Sequence, residues 1–191
     1  MIKALLGFVA FIFLILFIVI MIARGGKSGN NVVRKDIPQL NTAASSDANF
    51  QFTQDGPIVA EEDHFSIQIS VNKSNRTVRV IRGYQGQVVA SSSFGNNEAA
   101  FADFLSALDR AGYTNVNRSR YQSEAGLCPL NNRFVFQSDQ FEKDFRTWTT
   151  SCRENGTFGG NFSTISSLFR DQIPNYNQFI SSTRQTTGLS L

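Results

Sequence analysis

Phe65, Ile67, Ile69 and Val71 alternate with Ser66, Gln68 and Ser70, the period-two pattern of a half-buried strand. Asn72-Lys73-Ser74-Asn75 carries turn residues, and Thr77 to Ile81 returns with Val78 and Val80 in the inward phase. A second turn at Gly83-Tyr84-Gln85-Gly86 leads to a third strand, Gln87 to Phe94, so this stretch predicts an antiparallel meander. The period then changes to that of a helix, with Phe101, Phe104, Leu105, Leu108 and Ala111 on one face. Asn96 and Asn97 offer N-caps, and Gly112 a stop. Arg133 to Gln137 and Phe145 to Thr150 read as two further strands. Gly159-Gly160-Asn161 precedes a short helix with Ile165, Leu168 and Phe169 on one side; Pro174 breaks it, and a last helix is expected from Tyr176 to Ser181. The order predicts an α+β domain with an antiparallel sheet of about five strands and two to three helices.

Ahead of this domain the pattern is of another kind. Ala4 to Ala23 is an unbroken apolar run, ALLGFVAFIFLILFIVIMIA, free of charge and proline. As a helix rising about 1.5 Å per residue it would span about 30 Å, the hydrocarbon core of a bilayer. A cleaved signal peptide has a shorter apolar region ending in small residues, and Met21-Ile22-Ala23-Arg24 does not fit. Residues 1–23 are therefore expected to be an uncleaved transmembrane anchor. Residues 24–54 lack periodicity and read as a polar tether, with a root-mean-square reach of roughly 30 Å. Residues 55–183 are expected to form the domain, starting at the Asp55-Gly56-Pro57 turn, and 184–191 a disordered tail.

Charge leaves the orientation of such an anchor in tension. Lys3 precedes the apolar run, whereas Arg24, Lys27, Arg34 and Lys35 follow it, which alone would place the domain inside. The domain is rich in Asn, Ser, Thr and Gln and carries one cysteine pair, which favours the outside. The net charge of +3 comes with arginines scattered from Arg76 to Arg170. Nucleic-acid binding asks for a concentrated basic stripe interleaved with aromatics, so that function is disfavoured.

The two cysteines, Cys128 and Cys152, admit three readings. A nucleophilic thiolate needs an imidazole nearby, and the one histidine, His64, sits beside Glu61, Glu62 and Asp63 in phase with the outward Ser66 and Gln68. It is expected to be a solvated surface residue. Structural zinc wants four ligands where the sequence offers three Cys and His in all. A disulfide between strand ends remains, stabilising by roughly 3–4 kcal/mol through closure of a loop of about 25 residues, and it would place the domain in an oxidising compartment. Two reduced thiols in a cytoplasmic domain are the alternative.

Other candidates carry less. Gly159, Gly160 and Asn161 before a helix resemble an anion-cradling loop, but no Lys-Ser/Thr follows, and a tight turn explains the glycines more simply. Gly26-Lys27-Ser28 matches the end of a phosphate-binding loop only by accident, since the upstream glycine position is Met21. Asp139, Glu142 and Asp144 look like solvated acids of a hairpin loop. Trp148 is either an exposed binding aromatic or, by strand alternation, core. No cofactor and no metal site is read.

The segments CPLNNRFVFQ, FRTWTTSC, GTFGGN and LFRDQIPNY, with Tyr84-Gln85-Gly86 and the Asn97 to Gly112 helix, resemble uncharacterised single-pass membrane proteins of the ultrasmall, host-dependent bacteria of the candidate phyla radiation. The likeness covers roughly residues 55 to 180. It implies a membrane-anchored surface domain in which the Cys128 and Cys152 positions go together, and it brings no activity or catalytic residue. The expected function is a non-enzymatic cell-surface binding or envelope-assembly module, held in lipid by residues 4–23 and engaging a protein in the envelope or on another cell. The alternatives are a small membrane subunit of a secretion, pilus-like or DNA-uptake machine, and an enzyme using Cys128 or Cys152 with His64.

Overall fold

The computed structural model describes residues 33–34, 40–139, 145–152 and 156–189. Residues 4–23, expected to cross a membrane, lie outside them; among the described residues no helix is long and apolar enough to do so. The described residues fall within one compact unit, Val32–Leu191.

Six antiparallel strands form the main sheet: β2 (Phe50–Asp55), β3 (Phe65–Val71), β4 (Asn75–Arg82), β5 (Gln87–Gly95), β7 (Arg133–Ser138) and β8 (Phe145–Thr150). Their order across the sheet is β5-β4-β3-β2-β7-β8. Two short segments, β1 (Val33–Arg34) and β6 (Asn115–Val116), pair separately. The helices are α1 (Glu98–Arg110), α2 (Phe162–Asp171) and α3 (Tyr176–Thr187). The α+β class and the β3-β4-β5 meander thus stand as expected, with one strand more than anticipated.

Alternation decides which face is core. Phe65, Ile67, Ile69 and Val71 of β3, Val78 and Val80 of β4, Phe50 and Phe52 of β2, and Phe134 and Phe136 of β7 point to one side and are buried. The helices close that side with aromatic rings. Phe50 meets Phe101 of α1 at 6.0 Å between centroids, Phe52 meets Phe169 of α2 at 5.7 Å, and Phe104 and Phe169 pack edge to face at 5.2 Å. Each fully buried large side chain stabilises by about 1.5–3 kcal/mol, so this layer is the main source of stability. Asn97 caps α1 by accepting from the Ala100 amide at 2.9 Å, and Gly112 takes the left-handed conformation, φ 78°, that ends it.

Both ends of the domain differ from expectation. The tether assigned to residues 24–54 overlaps ordered structure: Leu40–Ala43 form a short 3-10 helix with Leu40 and Ala43 buried, and β2 is a central strand between β3 and β7. Only Phe50 and Phe52 mark β2 in sequence, and its place is fixed by long-range pairing. The tail assigned to 184–191 is helical through Thr187, and Leu189 returns to the core at 2% exposure. Ser182, Thr183 and Thr187 hydroxyls donate to carbonyls three or four residues back within the helix, which satisfies them locally, while buried Thr183 and Leu189 hold it to the domain.

Candidate functional site

Asp55 ends β2, His64 precedes β3 and Arg133 opens β7, so antiparallel pairing brings all three to one end of the sheet. Their phase puts them on the face opposite the helices. His64 Nε2 lies 3.0 Å from Asp55 Oδ1, and Arg133 donates to Asp55 Oδ2 from Nε at 2.9 Å and Nη2 at 2.6 Å. Arg133 Nη2 also donates to the Gly56 carbonyl at 2.6 Å, and His64 Nδ1 stands 3.0 Å from the Pro57 carbonyl oxygen. Tyr84 stacks on the imidazole at 4.1 Å, and its hydroxyl donates to the Val59 carbonyl. His64 and Arg133 are each 3% exposed.

The expectation of a solvated His64 is therefore wrong. Its outward phase was read correctly, but this end of the outward face is covered by Tyr84 and the 56–64 loop, and strand phase gives the face without giving its cover. Chemically the cluster is a clasp. Both ring nitrogens face oxygens, one carboxylate and one backbone carbonyl, and neither is turned toward a nucleophile. Burying the Arg133 guanidinium beside a carboxylate that is itself 28% exposed costs desolvation, which two hydrogen bonds to one Asp55 oxygen and a third to Gly56 offset.

Cys128 and Cys152 are joined, with S–S 2.01 Å and Cα–Cα 5.7 Å. Cys128 is 1% exposed and holds φ 49°, a left-handed conformation that few non-glycine residues adopt. The segment before it reaches back across β8, where Glu124 accepts a hydrogen bond from Arg146. Trp148, in phase with Arg146 on β8 and paired with Val135, is 1% exposed, so the aromatic is buried and not a binding surface. Burial on its own would raise the Glu124 carboxyl; the Arg146 hydrogen bond, a backbone hydrogen bond and the charges of Arg146 and Arg133 outweigh it and hold Glu124 below its ordinary value.

The glycine-rich turn is explained by close packing. A Cβ on Gly156 would overlap the Trp148 carbonyl, and one on Gly160 the Gly112 carbonyl. Asn161 caps α2, accepting from the Thr164 amide at 3.1 Å. Asp139 is exposed and accepts from the Asn49 amide at 2.7 Å, whereas Glu142 and Asp144 lie outside the described residues.

The two sheet edges are unlike. At β8, the Trp148 amide donates to Thr157 Oγ1 at 3.1 Å and the Trp148 carbonyl accepts from the Phe158 amide at 2.9 Å. At β5, the one strand neighbour among the described residues is β4. The clasp and Arg133 in particular were missed from sequence; the available signal was a charged residue opening an otherwise apolar strand, RFVFQS.

No family model matches the chain, and no curated protein or solved structure matches it either. The class defined by fold and site is an α+β domain with a joined cysteine pair and an Asp–His–Arg clasp whose histidine and arginine are buried.

Proposed function

We propose that this chain is a membrane-anchored, non-enzymatic module of the cell surface, with residues 4–23 in lipid and the domain on the oxidising side. The observation that carries this reading is the joined Cys128–Cys152 pair. A bond of this kind persists in oxidising compartments, and it withdraws the thiolate that a cysteine enzyme would need. The clasp supports the non-enzymatic part of that reading, because both His64 nitrogens stand against oxygens of the fold, Asp55 Oδ1 and the Pro57 carbonyl. The resemblance to surface domains of host-dependent bacteria points in the same direction. What the domain offers a partner is the part of the outward sheet face where Arg79 and Ser91 are exposed among the described residues.

The test is made on sealed cells producing the full chain. Alkylation with a mass-tagged maleimide is expected to leave both cysteines unmodified until a reductant is added, and external protease is expected to remove the domain. Modification without reductant, or a domain protected until the cells are permeabilised, overturns the assignment.

A further inference from the structure

The direction of each backbone group along β5 can be worked out from its ends. The Asn96 amide donates to the Ser74 carbonyl at 2.8 Å, and these two residues continue the Asn75↔Gly95 register by one step. Antiparallel pairs alternate between those that exchange hydrogen bonds and those that do not. The bonded set therefore runs through Arg76↔Phe94, Val78↔Ser92 and Val80↔Ala90. On the other side of β4, the Asn72 amide donates to the Asn75 carbonyl, assigning the odd residues of β4 to β3 and confirming the phase. Ser91, Ser93 and Gly95 consequently turn their amide and carbonyl groups away from β4, toward the open edge. The Gly95 carbonyl already accepts from Arg76 Nε and Nη2, at 3.2 and 2.9 Å, as a free edge carbonyl would.

Among the described residues that edge carries few of the usual guards, a bulge at Val80/Ile81 and the Arg76 guanidinium on the Gly95 carbonyl. β5 reads QVVASSSFG, with no proline and no charge over nine residues, and Ser91, Ser93 and Gly95 are exposed. A bulge interrupts pairing at Val80/Ile81 and leaves Ala90 to Gly95 in regular register. Natural edges of this length are protected by charge, proline or a covering segment unless another strand is meant to add there.

Charge states what kind of strand. β3, β4 and β5 hold no acidic residue and three arginines, of which Arg76 donates to the Gly95 carbonyl and Arg82 to the Thr187 carbonyl, so the charge offered outward is that of Arg79. Arg79 is exposed on the face opposite the helices, directly across from Ser91. Neighbouring strands lie about 4.8 Å apart, and a serine is small enough for an arginine side chain to pass over it toward the edge. We propose that the free edge of β5 binds an extended, acidic segment of a partner protein as a seventh strand, with alternate carboxylates facing Arg79. This deepens the surface-module reading and rests on it for the partner's location, though not for the chemistry of binding.

The test uses the full chain in lipid nanodiscs and fluorescent nine-residue peptides, read by anisotropy. One peptide carries glutamate at alternate positions with threonine and valine between; a second replaces each glutamate by lysine. The glutamate peptide is expected to bind about tenfold or more tightly than the lysine peptide, and Arg79→Glu to reverse that order. Ser91→Pro removes one outward amide and no β4 bond, so binding should weaken about tenfold at unchanged melting temperature. Ser92→Pro removes a β4 bond and should lower the melting temperature, which shows that the phase is correct. Equal binding of the two peptides, or binding indifferent to Ser91→Pro, overturns the proposal. Dimerisation of the chain that Ser91→Pro abolishes also overturns it, by assigning the edge to a second copy. These failures leave the cysteine-alkylation result untouched, so the two readings fall separately.

Discussion

At β8 the outward amide and carbonyl of Trp148 are both taken, by Thr157 and Phe158, while the equivalent groups of Ser91 and Ser93 at β5 meet no described element. The same asymmetry extends across the outward face. Over β8 the Glu124–Arg146 pair ties down the segment before Cys128, and the Asp55–His64–Arg133 clasp closes one end of the sheet beneath Tyr84 of the β4–β5 turn; along the rest of β4 and β5 the face is left to Thr77, Arg79, Ser91 and Ser93. One sheet therefore has a closed side, where the edge strand's outward backbone groups are spent on the fold. On its open side those of Ser91 and Ser93 meet no described element, although the Thr77 and Ser93 hydroxyls pair at 3.1 Å.

Breaking the clasp should have the largest effect. Asp55→Ala leaves the buried Arg133 guanidinium without its carboxylate and is expected to cost about 3–5 kcal/mol. Arg79→Ala, an exposed charge on the open side, should stay within about 0.5 kcal/mol. Urea titration of the two variants against the parent checks the contrast, and equal losses would mean that the two sides are not distinct.

Cutting the staple comes next. Cys128→Ser with Cys152→Ser removes closure of a loop of about 25 residues and should cost roughly 3 kcal/mol. Trp148 is the chain's only tryptophan and lies within that loop, buried on β8, so its fluorescence reports on the closed side. An emission shift to the red in the unreduced parent's native baseline would contradict the burial on which this expectation rests.

How far these features could be read from sequence depends on whether they are local. α1 was legible almost to the residue because its apolar face, the Asn97 cap and the Gly112 stop are all encoded within one stretch. The meander was legible because two short turns fix its pairing. β2 was not, because only Phe50 and Phe52 alternate there, and its central place comes from pairing with residues about 15 and 85 positions away. His64 was placed on the correct face and given the wrong environment, since the groups that bury it, Tyr84 and the Arg133 pair, come from separate elements. The cysteine pairing followed from strand order, yet the open edge required knowing which amides point outward, and no periodicity of side chains contains that.

The smallest expected effect is a pH dependence confined to the closed side. Glu124 is held below its ordinary value of 4.5 in the folded chain, so the folded state favours its ionised form. A carboxyl lowered in this way contributes stability that is present above the unfolded value and lost as pH falls through the folded one. Stability should therefore decline below about pH 4.5 more steeply in the parent than in Glu124→Gln. The difference should shrink in high salt only partially, because Glu124 has a side-chain exposure of 15% and its partner Arg146 of 35%. Acid titrations of the parent and Glu124→Gln, followed by Trp148 emission, measure this directly. Asp47 provides the control on the open side: its carboxyl is also lowered, by the hydrogen bond and charge of Lys73, but it is fully exposed, and Asp47→Asn should leave the acid limb unchanged. If Asp47→Asn flattens the acid limb as much as Glu124→Gln does, acid sensitivity belongs to the whole domain and the division of the sheet into closed and open sides has no electrostatic basis.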